Sequence, residues 1–432
     1  MSDVGEVIAR VHRAQWARVV ATLARRFGDL DIAEEMAAEA FATAVERWPV
    51  DGVPPNPGGW LTTTAHRKAI DQVRREARRT AKHREALMLS DPTDLSDPAD
   101  VFGTAAPPGG VIDDDRLRLV FTCCHPALAM PARVALTLRM VGGLTVPEIA
   151  RAFLTQEAAM GRRITRAKEK IKAAKIPYGV PSRADVPARV TGVLAVLYLI
   201  FNEGYLTSNP ERQAVRGDLT AEAIRLTRLV HALLPAAGEA DGPAAGEAAG
   251  KAAGEAAGLL ALMLLTEARR PARVSASGAL VPLDQQDRRA WDRQLIAEGH
   301  ALVRARLASG QPPGRYQLLA AINAVHTDAR AARDTDWSQV VALYDQLARL
   351  DPSPIVRLNR AIAVAELDGP QVALAQVDDL PLQGYHAFHA TRADLLRRLG
   401  RGEAARAAYD RAIGLAGNTA ETAYLTRRRD QP

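Results

Sequence analysis

Residues 143–175 read GLTVPEIARAFLTQEAAMGRRITRAKEKIKAAK. Thr145 stands where an N-cap belongs and Glu148 follows three residues later, the pair that satisfies two orphan amides at a helix start. The first helix reaches Phe153, and a short turn at Leu154-Thr155 follows. From Gln156 to Lys175 the apolar residues Met160, Ile164, Ala167 and Ile171 recur at helical spacing. One face is therefore buried, and Arg162, Arg163, Arg166, Lys168, Lys170 and Lys172 project from the others. A short capped helix, a tight turn and a basic second helix is the helix-turn-helix arrangement, whose second helix enters the major groove of DNA. Arginine there can pair bidentately with guanine. An ordinary α-hairpin with a basic surface has the same period; the agreement of cap, spacing and charge favours the DNA-binding reading.

On its N-terminal side, Pro131 to Met140 is an amphipathic helix ending at Gly142-Gly143, and Leu117 to Phe121 lies on an apolar helix before it. The module spans about 113–176 and is closed by Pro177-Tyr-Gly-Val-Pro181. Cys123-Cys-His125 within it is read as core packing. Three consecutive residues wrap a tetrahedral metal poorly and there is no second cysteine pair, so no metal is expected. Residues 90–112, with several Asp, Pro and Gly, read as a linker.

A second basic segment precedes the linker. Trp60-Leu-Thr-Thr-Thr-Ala-His-Arg-Lys-Ala-Ile-Asp-Gln-Val-Arg-Arg75 places Leu61, Ala65, Ala69, Ile70 and Val73 on one helical face. Trp60, Thr63, His66, Arg67, Arg74 and Arg78 occupy other faces. Closely spaced basic residues neutralise phosphates, and an aromatic residue at the helix head can stack on or wedge against an unpaired base. The plainer alternative is a core tryptophan beside a solvated charged face. Ahead of this helix, residues 4–27 and about 31–48 have helical spacing, with Asp29 or Asp31 as cap of the second helix. The prolines and glycines of residues 49–59 are expected to prevent helix there, so the third helix should begin near Trp60.

The 432 residues carry 47% hydrophobic, 25% charged and only 5% aromatic side chains, and their abundant alanine, leucine and arginine predict an all-α protein of several domains. The net charge of +6 is modest for this length, so its placement matters more than its sum. Only two cysteines, adjacent in sequence, fit a reducing cytosol, and a cytoplasmic location is expected. No signal peptide is read at the N-terminus, and Gly258 to Leu265, the most apolar run, is too short to span a bilayer, so no membrane association is expected. Walker, GxSxG, HExxH and GxGxxG patterns are missing, and neither an enzyme nor a cofactor is predicted.

Beyond residue 185 the pattern stays helical. Phe201-Asn-Glu-Gly-Tyr205 reads as a helix C-terminus capped by Gly204. Residues 235–258 repeat a small-residue unit whose glycines oppose helix by roughly 1 kcal/mol each, and they are expected to form a mobile insertion in a 185–315 helical domain. From 316 to 428 the runs at 341–352, 372–381 and 405–415 resemble one another at about the spacing of tetratricopeptide helix pairs.

Taken in order, Asp31-Ile-Ala-Glu-Glu-Met-Ala-Ala-Glu-Ala-Phe41, Trp60-Leu…Ala69-Ile-Asp-Gln-Val-Arg-Arg75, Gly143-Leu-Thr-Val-Pro-Glu-Ile-Ala150 and Arg163-Ile-Thr-Arg-Ala-Lys168 resemble regions 2 and 4 of the extracytoplasmic-function sigma factors of the sigma-70 family. Phe121-Thr-Cys-Cys-His-Pro-Ala-Leu128, Leu199-Ile-Phe-Asn-Glu-Gly-Tyr205 and the tetratricopeptide-like tail resemble a subgroup with a long C-terminal extension. The resemblance implies region 2 at 4–89 and region 4 at 113–176. It also implies RNA polymerase core as partner through its β′ clamp helices and β flap, with Asp31, Glu34, Glu35 and Glu39 as docking acids. Promoter DNA is the second implied partner, its −10 element opened by Trp60, Thr63, His66, Arg67, Arg74 and Arg75. The −35 element would be read by Arg162, Arg163, Arg166, Lys168 and Lys170. The C-terminal repeats offer a surface for a protein partner and for regulation in cis. The alternative is an operator-binding regulator with a tetratricopeptide sensor, in which the acids at 31–39 are merely solvated.

Overall fold

The computed structural model describes residues 2–87, 115–152, 155–179, 186–206, 216–234, 243–275, 279–417 and 419–430. Among them every extended element is α-helical, apart from three 3-10 turns and one isolated bridge between Val274 and Leu280. The expected all-α class is thus met. The chain divides into two compact units, Met1–Val196 and Leu197–Pro432. The predicted linker at 90–112 lies outside the described residues.

In the first unit, α1 (Ser2–Phe27), α2 (Leu30–Asp51) and α3 (Pro57–Leu87) pack around Trp16, Val19, Val20, Leu23, Met36, Phe41, Trp48 and Leu61. Asp29 caps α2, accepting from the amides of Asp31 at 2.8 Å and Ile32 at 3.2 Å. The helix does not stop before Pro49, as expected from proline's missing donor; it continues to Asp51. A proline so close to the end deprives only the carbonyl of Val45, itself on an exposed residue, and the Gly52 amide closes the last turn on Trp48. Likewise α3 starts at Pro57 rather than Trp60. Proline suits a first helical position, and the Asn56 side chain accepts from the Gly59 amide at 3.0 Å.

Four shorter helices follow: α4 (Asp115–Cys123), α5 (Met130–Met140), α6 (Val146–Ala152) and α7 (Glu157–Ala173). Their core holds Leu117, Leu119, Val120, Phe121, Leu136, Met140, Leu144 and Ile149. Both cysteines are buried in it, with Cys124 Sγ 3.6 Å from Thr137 Oγ1. Burial pushes the Cys124 thiol pKa up to about 12. The capping box forms as read: Thr145 N donates to Glu148 Oε2 at 2.7 Å and Glu148 N donates to Thr145 Oγ1 at 3.4 Å.

α8 (Val186–Tyr205) contains the boundary between the units. Gly204 is not a C-cap but lies inside α8, where it permits close approach. A Cβ there would come within 2.8 Å of Thr220 N and 2.9 Å of the Arg216 carbonyl. The second unit continues with α9 (Gly217–Leu233), α10 (Pro243–Glu267), α11 (Arg270–Arg273), α12 (Arg293–Ala308) and α13 (Arg315–Asp328).

The small-residue repeat corrects the expectation of a mobile insertion. From Pro243 onward it is the first half of α10, with Ala249, Ala252, Ala256 and Ala257 buried. Its glycines recur every four residues, as in Gly254 and Gly258, along one ridge of the helix. At Gly258 an added Cβ would lie 2.6 Å from the Gln317 amide nitrogen. At Gly254 it would meet the Gln317 and Arg306 side chains. What these glycines lose in propensity is offset by letting α13 approach at backbone distance and by making room for the Arg306 side chain of α12, a gain that local sequence does not show. Residues 246–267 are long and apolar enough to cross a membrane by length and composition, yet most of this span is buried within the unit.

Near the end of α13, Arg288 Nη1 donates to the carbonyls of His326 and Ala329 at 2.6 and 2.7 Å. Burial, reinforced by Arg269 and Arg288, pushes the His326 pKa down to about 4. Then come α14 (Trp337–Leu350), α15 (Pro354–Leu367), α16 (Pro370–Asp378), α17 (His386–Arg398), α18 (Gly402–Leu415) and α19 (Thr419–Asp430), each packed on the next. The three similar runs of sequence fall on α14, α16 and α18, alternate members of this series. Leu358, Val364, Leu374, Val377, Phe388, Leu395, Leu396 and Tyr409 form a core shared by α15–α18, while Val340 and Leu347 of α14 pack with Leu318 and Ile322 of α13.

Candidate nucleic-acid interface

The head of α3 meets the tail of α2. Trp48 is buried, and Trp60 sits against it edge-on with ring centroids 5.5 Å apart. Gly52, at φ +82°, turns the chain away after α2. Arg47, Trp48, Asp51, Gly52, Val53, Pro54, Pro55 and Trp60 line a cleft of about 260 Å³. Its walls are aromatic and proline-rich, and its rim carries both a cation and an acid.

Leu61, Ala65 and Ala69 fix α3 by burial, which aims the opposite face outward. At 3.6 residues per turn, Trp60, Thr63, Arg67 and Arg74 fall on one stripe of that outward side. Thr63, Arg67 and Arg74 are exposed, and Trp60 is half-buried. Arg75 is exposed at the edge of the stripe, its Nε 3.3 Å from the Asp71 carbonyl. His66 departs from the group. It is half-buried beside the Phe27 ring, and burial, then Arg26, lowers its pKa, so it is neutral at pH 7.

On α7, Met160, Ile164, Ala167 and Ile171 are the buried residues, the four named from the sequence. Arg162, Arg166 and Lys170 are all exposed and, at intervals of four, share one stripe; Arg163 beside them is half-buried. Lys168 projects from another side. Its ammonium pairs with Asp31 at 2.8 Å and also with Glu34. One turn further, Lys172 pairs with Asp29 at 3.0 Å.

The four predicted docking acids therefore face two ways. Asp31 and Glu34 meet α7, and Glu34 also accepts from Arg139 Nε at 2.5 Å. Glu35 accepts from Gln72 at 3.2 Å and Glu39 pairs with Lys68 at 3.0 Å, both on α3. Burial alone would raise the Glu34 pKa, but Lys168 and Arg139 outweigh it and hold the carboxyl below its ordinary value. Burial would likewise depress Lys168, and Glu34 and Asp31 hold it above the usual lysine value. Asp29, Arg139 and Lys172 complete this cluster. The sequence signal for them was only their charge, since their partners lie more than a hundred residues away. Among the described residues no group of three or more His, Cys, Asp or Glu could hold a metal.

Comparison with known proteins agrees with this layout. Sigma-70 region 2 matches residues 13–79 and Sigma-70, region 4 matches residues 118–171. A family of unknown function, DUF6596, matches residues 189–245 and 246–307, so the small-residue half of α10 lies within a recognised family. An uncharacterized protein of Rhizobium meliloti (strain 1021) is 44% identical over 429 residues, 98% of this chain and 95% of that protein. The probable ECF RNA polymerase sigma factor SigI of Mycobacterium tuberculosis is 26% identical over 215 residues, 48% of this chain and 71% of its own length. The ECF RNA polymerase sigma factor SigK of Mycobacterium ulcerans is 30% identical over 151 residues, covering 34% of this chain and 74% of SigK. No solved structure matches. With regions 2 and 4 both present on helices that expose basic stripes, and a helical DUF6596 region behind them, this chain belongs to the ECF sigma factors, a non-enzymatic family.

Proposed function

We propose that this protein directs RNA polymerase core to specific promoters from the cytoplasm. The observation that carries the reading is the pair of outward basic stripes, on α3 and α7, each fixed by the buried apolar face of its own helix. The α7 stripe of Arg162, Arg166 and Lys170, with Arg163 beside it, reads the −35 element in the major groove. Lys168 joins them when its pairing with α2 is broken. On α3, Arg67, Arg74 and Arg75 track the phosphates of the −10 element, with Thr63 and His66 along the same helix.

Opening needs a place for an unstacked base. The Trp48–Trp60 cleft supplies an aromatic wall and the Pro54-Pro55 turn a rigid second wall, so a flipped base exchanges its stack for protein surface. Asp31, Glu34, Glu35 and Glu39 on α2 serve as the acidic face for the β′ clamp helices, and region 4 meets the β flap. The array α14–α19 is tetratricopeptide-like, and it regulates or supports activity in cis through a protein partner on its surface.

Run-off transcription with purified core polymerase tests this. Promoter-specific transcripts should appear only when the protein is added. Trp60→Ala should lower open-complex formation about tenfold or more, given about 1–3 kcal/mol for base stacking, while Trp60→Phe restores most of it. Operator binding without polymerase, and no promoter-specific transcript on any fragment, would refute the reading in favour of a conventional regulator.

A further inference from the structure

In the second unit Arg228, Arg270, Arg360 and Arg392 each pair with an acid. Arg269 and Arg288 do not. Arg269, just after α10, donates from Nη2 to Asn323 Oδ1 at 3.1 Å. Arg288, in the 3-10 turn Arg288–Ala290, donates from Nη1 to the carbonyls of His326 and Ala329. Asn323 and His326 are one turn apart on α13, so both guanidiniums converge on the last turns of that helix. The chain fixes the arrangement. Asp292 N donates to the Ala268 carbonyl at 2.9 Å, which ties the turn to the end of α10, and the Arg288 guanidinium stands 4.6 Å from the Trp291 ring centroid. Burial first, then Arg269, lowers the Arg288 pKa, with Asp334 acting the other way. The Asp334 carboxylate is itself engaged, accepting from the Ala331 amide at 3.1 Å and pairing with Arg333 at 3.8 Å. Two guanidinium charges therefore gather where the end of α13 supplies only about half a unit of negative charge.

Four nitrogens in this cluster are buried without a hydrogen-bond partner: Arg269 Nε, Arg288 Nη2, Trp291 Nε1 and His326 Nδ1. The first three can only donate, and the fourth donates in one of its tautomers. Trp291 is only 4% exposed, so its indole N–H has no water to turn to. A buried donor left unmade costs more than a made one gains, and four in one place call for a common acceptor. We propose that Arg269 and Arg288, with Trp291 and His326, form a binding site for the phosphate group of a small molecule. The geometry selects the class. A planar carboxylate is saturated by one guanidinium fork, whereas a tetrahedral phosphate presents oxygens in several directions and accepts from separate residues. Its charge near −2 also matches the two unpaired arginines. The orphan atoms are covered while Arg269, Arg288 and His326 are half-buried, so the ligand enters as the Arg288 side chain swings aside. The site rests on the second unit alone and is independent of the promoter reading.

Titration calorimetry on the full-length protein, at constant ionic strength set with chloride, tests the site with three probes: inorganic phosphate, glycerol phosphate and succinate. At least one phosphate probe should bind saturably at one per chain. Arg269→Gln should weaken it about 10- to 100-fold, the effect of losing a hydrogen bond from a charged donor. Trp291→Phe keeps a ring face beside Arg288 and removes only the N–H, so it stays informative even where Arg269→Gln fails to fold; it should weaken binding about 2- to 10-fold. Arg228→Gln, which breaks the pair with Glu298 elsewhere in the unit, should leave the affinity as it is. Tighter binding of glycerol phosphate than of phosphate assigns an organic phosphate, and the reverse assigns the free ion; either supports the site. No saturable binding of either phosphate probe overturns the proposal. So does an affinity that is the same in wild type, Arg269→Gln and Trp291→Phe, or succinate binding as tightly as phosphate.

Discussion

Alanine at Gly258 sets two effects of opposite sign against each other. In a solvated helix, glycine to alanine stabilises by roughly 1 kcal/mol, because the unfolded chain loses freedom it would otherwise gain. At Gly258 the new Cβ would sit 2.6 Å from the Gln317 amide nitrogen and 2.9 Å from its Cα, both main-chain atoms that cannot swing aside. Accommodating it means prising α10 from α13, and overpacking of this kind costs about 1–3 kcal/mol. The net expectation is a loss of about 1 kcal/mol, which weakens protection of buried amides roughly fivefold. Hydrogen exchange read by mass spectrometry should show that loss in peptides of both α10 and α13. Gly414→Ala is the control in the same unit, since nothing lies within 4 Å of its Cβ position, and it should be neutral to stabilising. If Gly258→Ala instead gains protection as the control does, α10 is not packed at backbone distance and the account of its glycines fails.

Two further outcomes follow from particular groups. The folded-state pKa of His326 is about 4 against about 6.5 unfolded, so the unfolded chain binds more protons between those values. Stability of the second unit is therefore fully present above pH 6.5 and falls by about 3 kcal/mol as pH drops to 4. Urea midpoints should show this slope and His326→Gln should flatten it; identical slopes would contradict the assignment. Thr145→Ala removes the hydroxyl that accepts from Glu148 N, and should cost region 4 about 1 kcal/mol in thermal unfolding while Thr145→Ser retains it. No change with alanine would mean that the cap contributes nothing there.

How much was legible in the sequence depended on how far apart the cause and its effect lie along the chain. The capping box at Thr145 and Glu148, the four buried residues of α7 and the buried face of α3 are set by neighbours within a turn or two, and composition and period sufficed for them. Pro49 misled because a rule for helix interiors was applied at a helix end, where one unsatisfied carbonyl can face water. The α10 repeat misled for a different reason: propensity counts each glycine as a loss, while the compensating contacts come from Gln317 and Arg306, far along the chain. The acidic face of α2 was legible as acidic. That its partners would be Lys168, Lys172 and Arg139, from 105 to 143 residues away, was not, because pairing at that range depends on how the helices pack.

The buried cysteines carry a practical consequence. The chain has only Cys123 and Cys124, both inside the α4–α5 core. Burial raises both pKa values, so at neutral pH neither presents a thiolate to a reagent. An alkylating probe therefore stays silent until this core opens, and its rate of incorporation becomes a clock for that opening. The same silence makes the molecule a blank background for spectroscopy. A single cysteine placed on the α3 or α7 stripe would take a fluorophore alone, without first deleting a native thiol, and would report its own encounter with DNA.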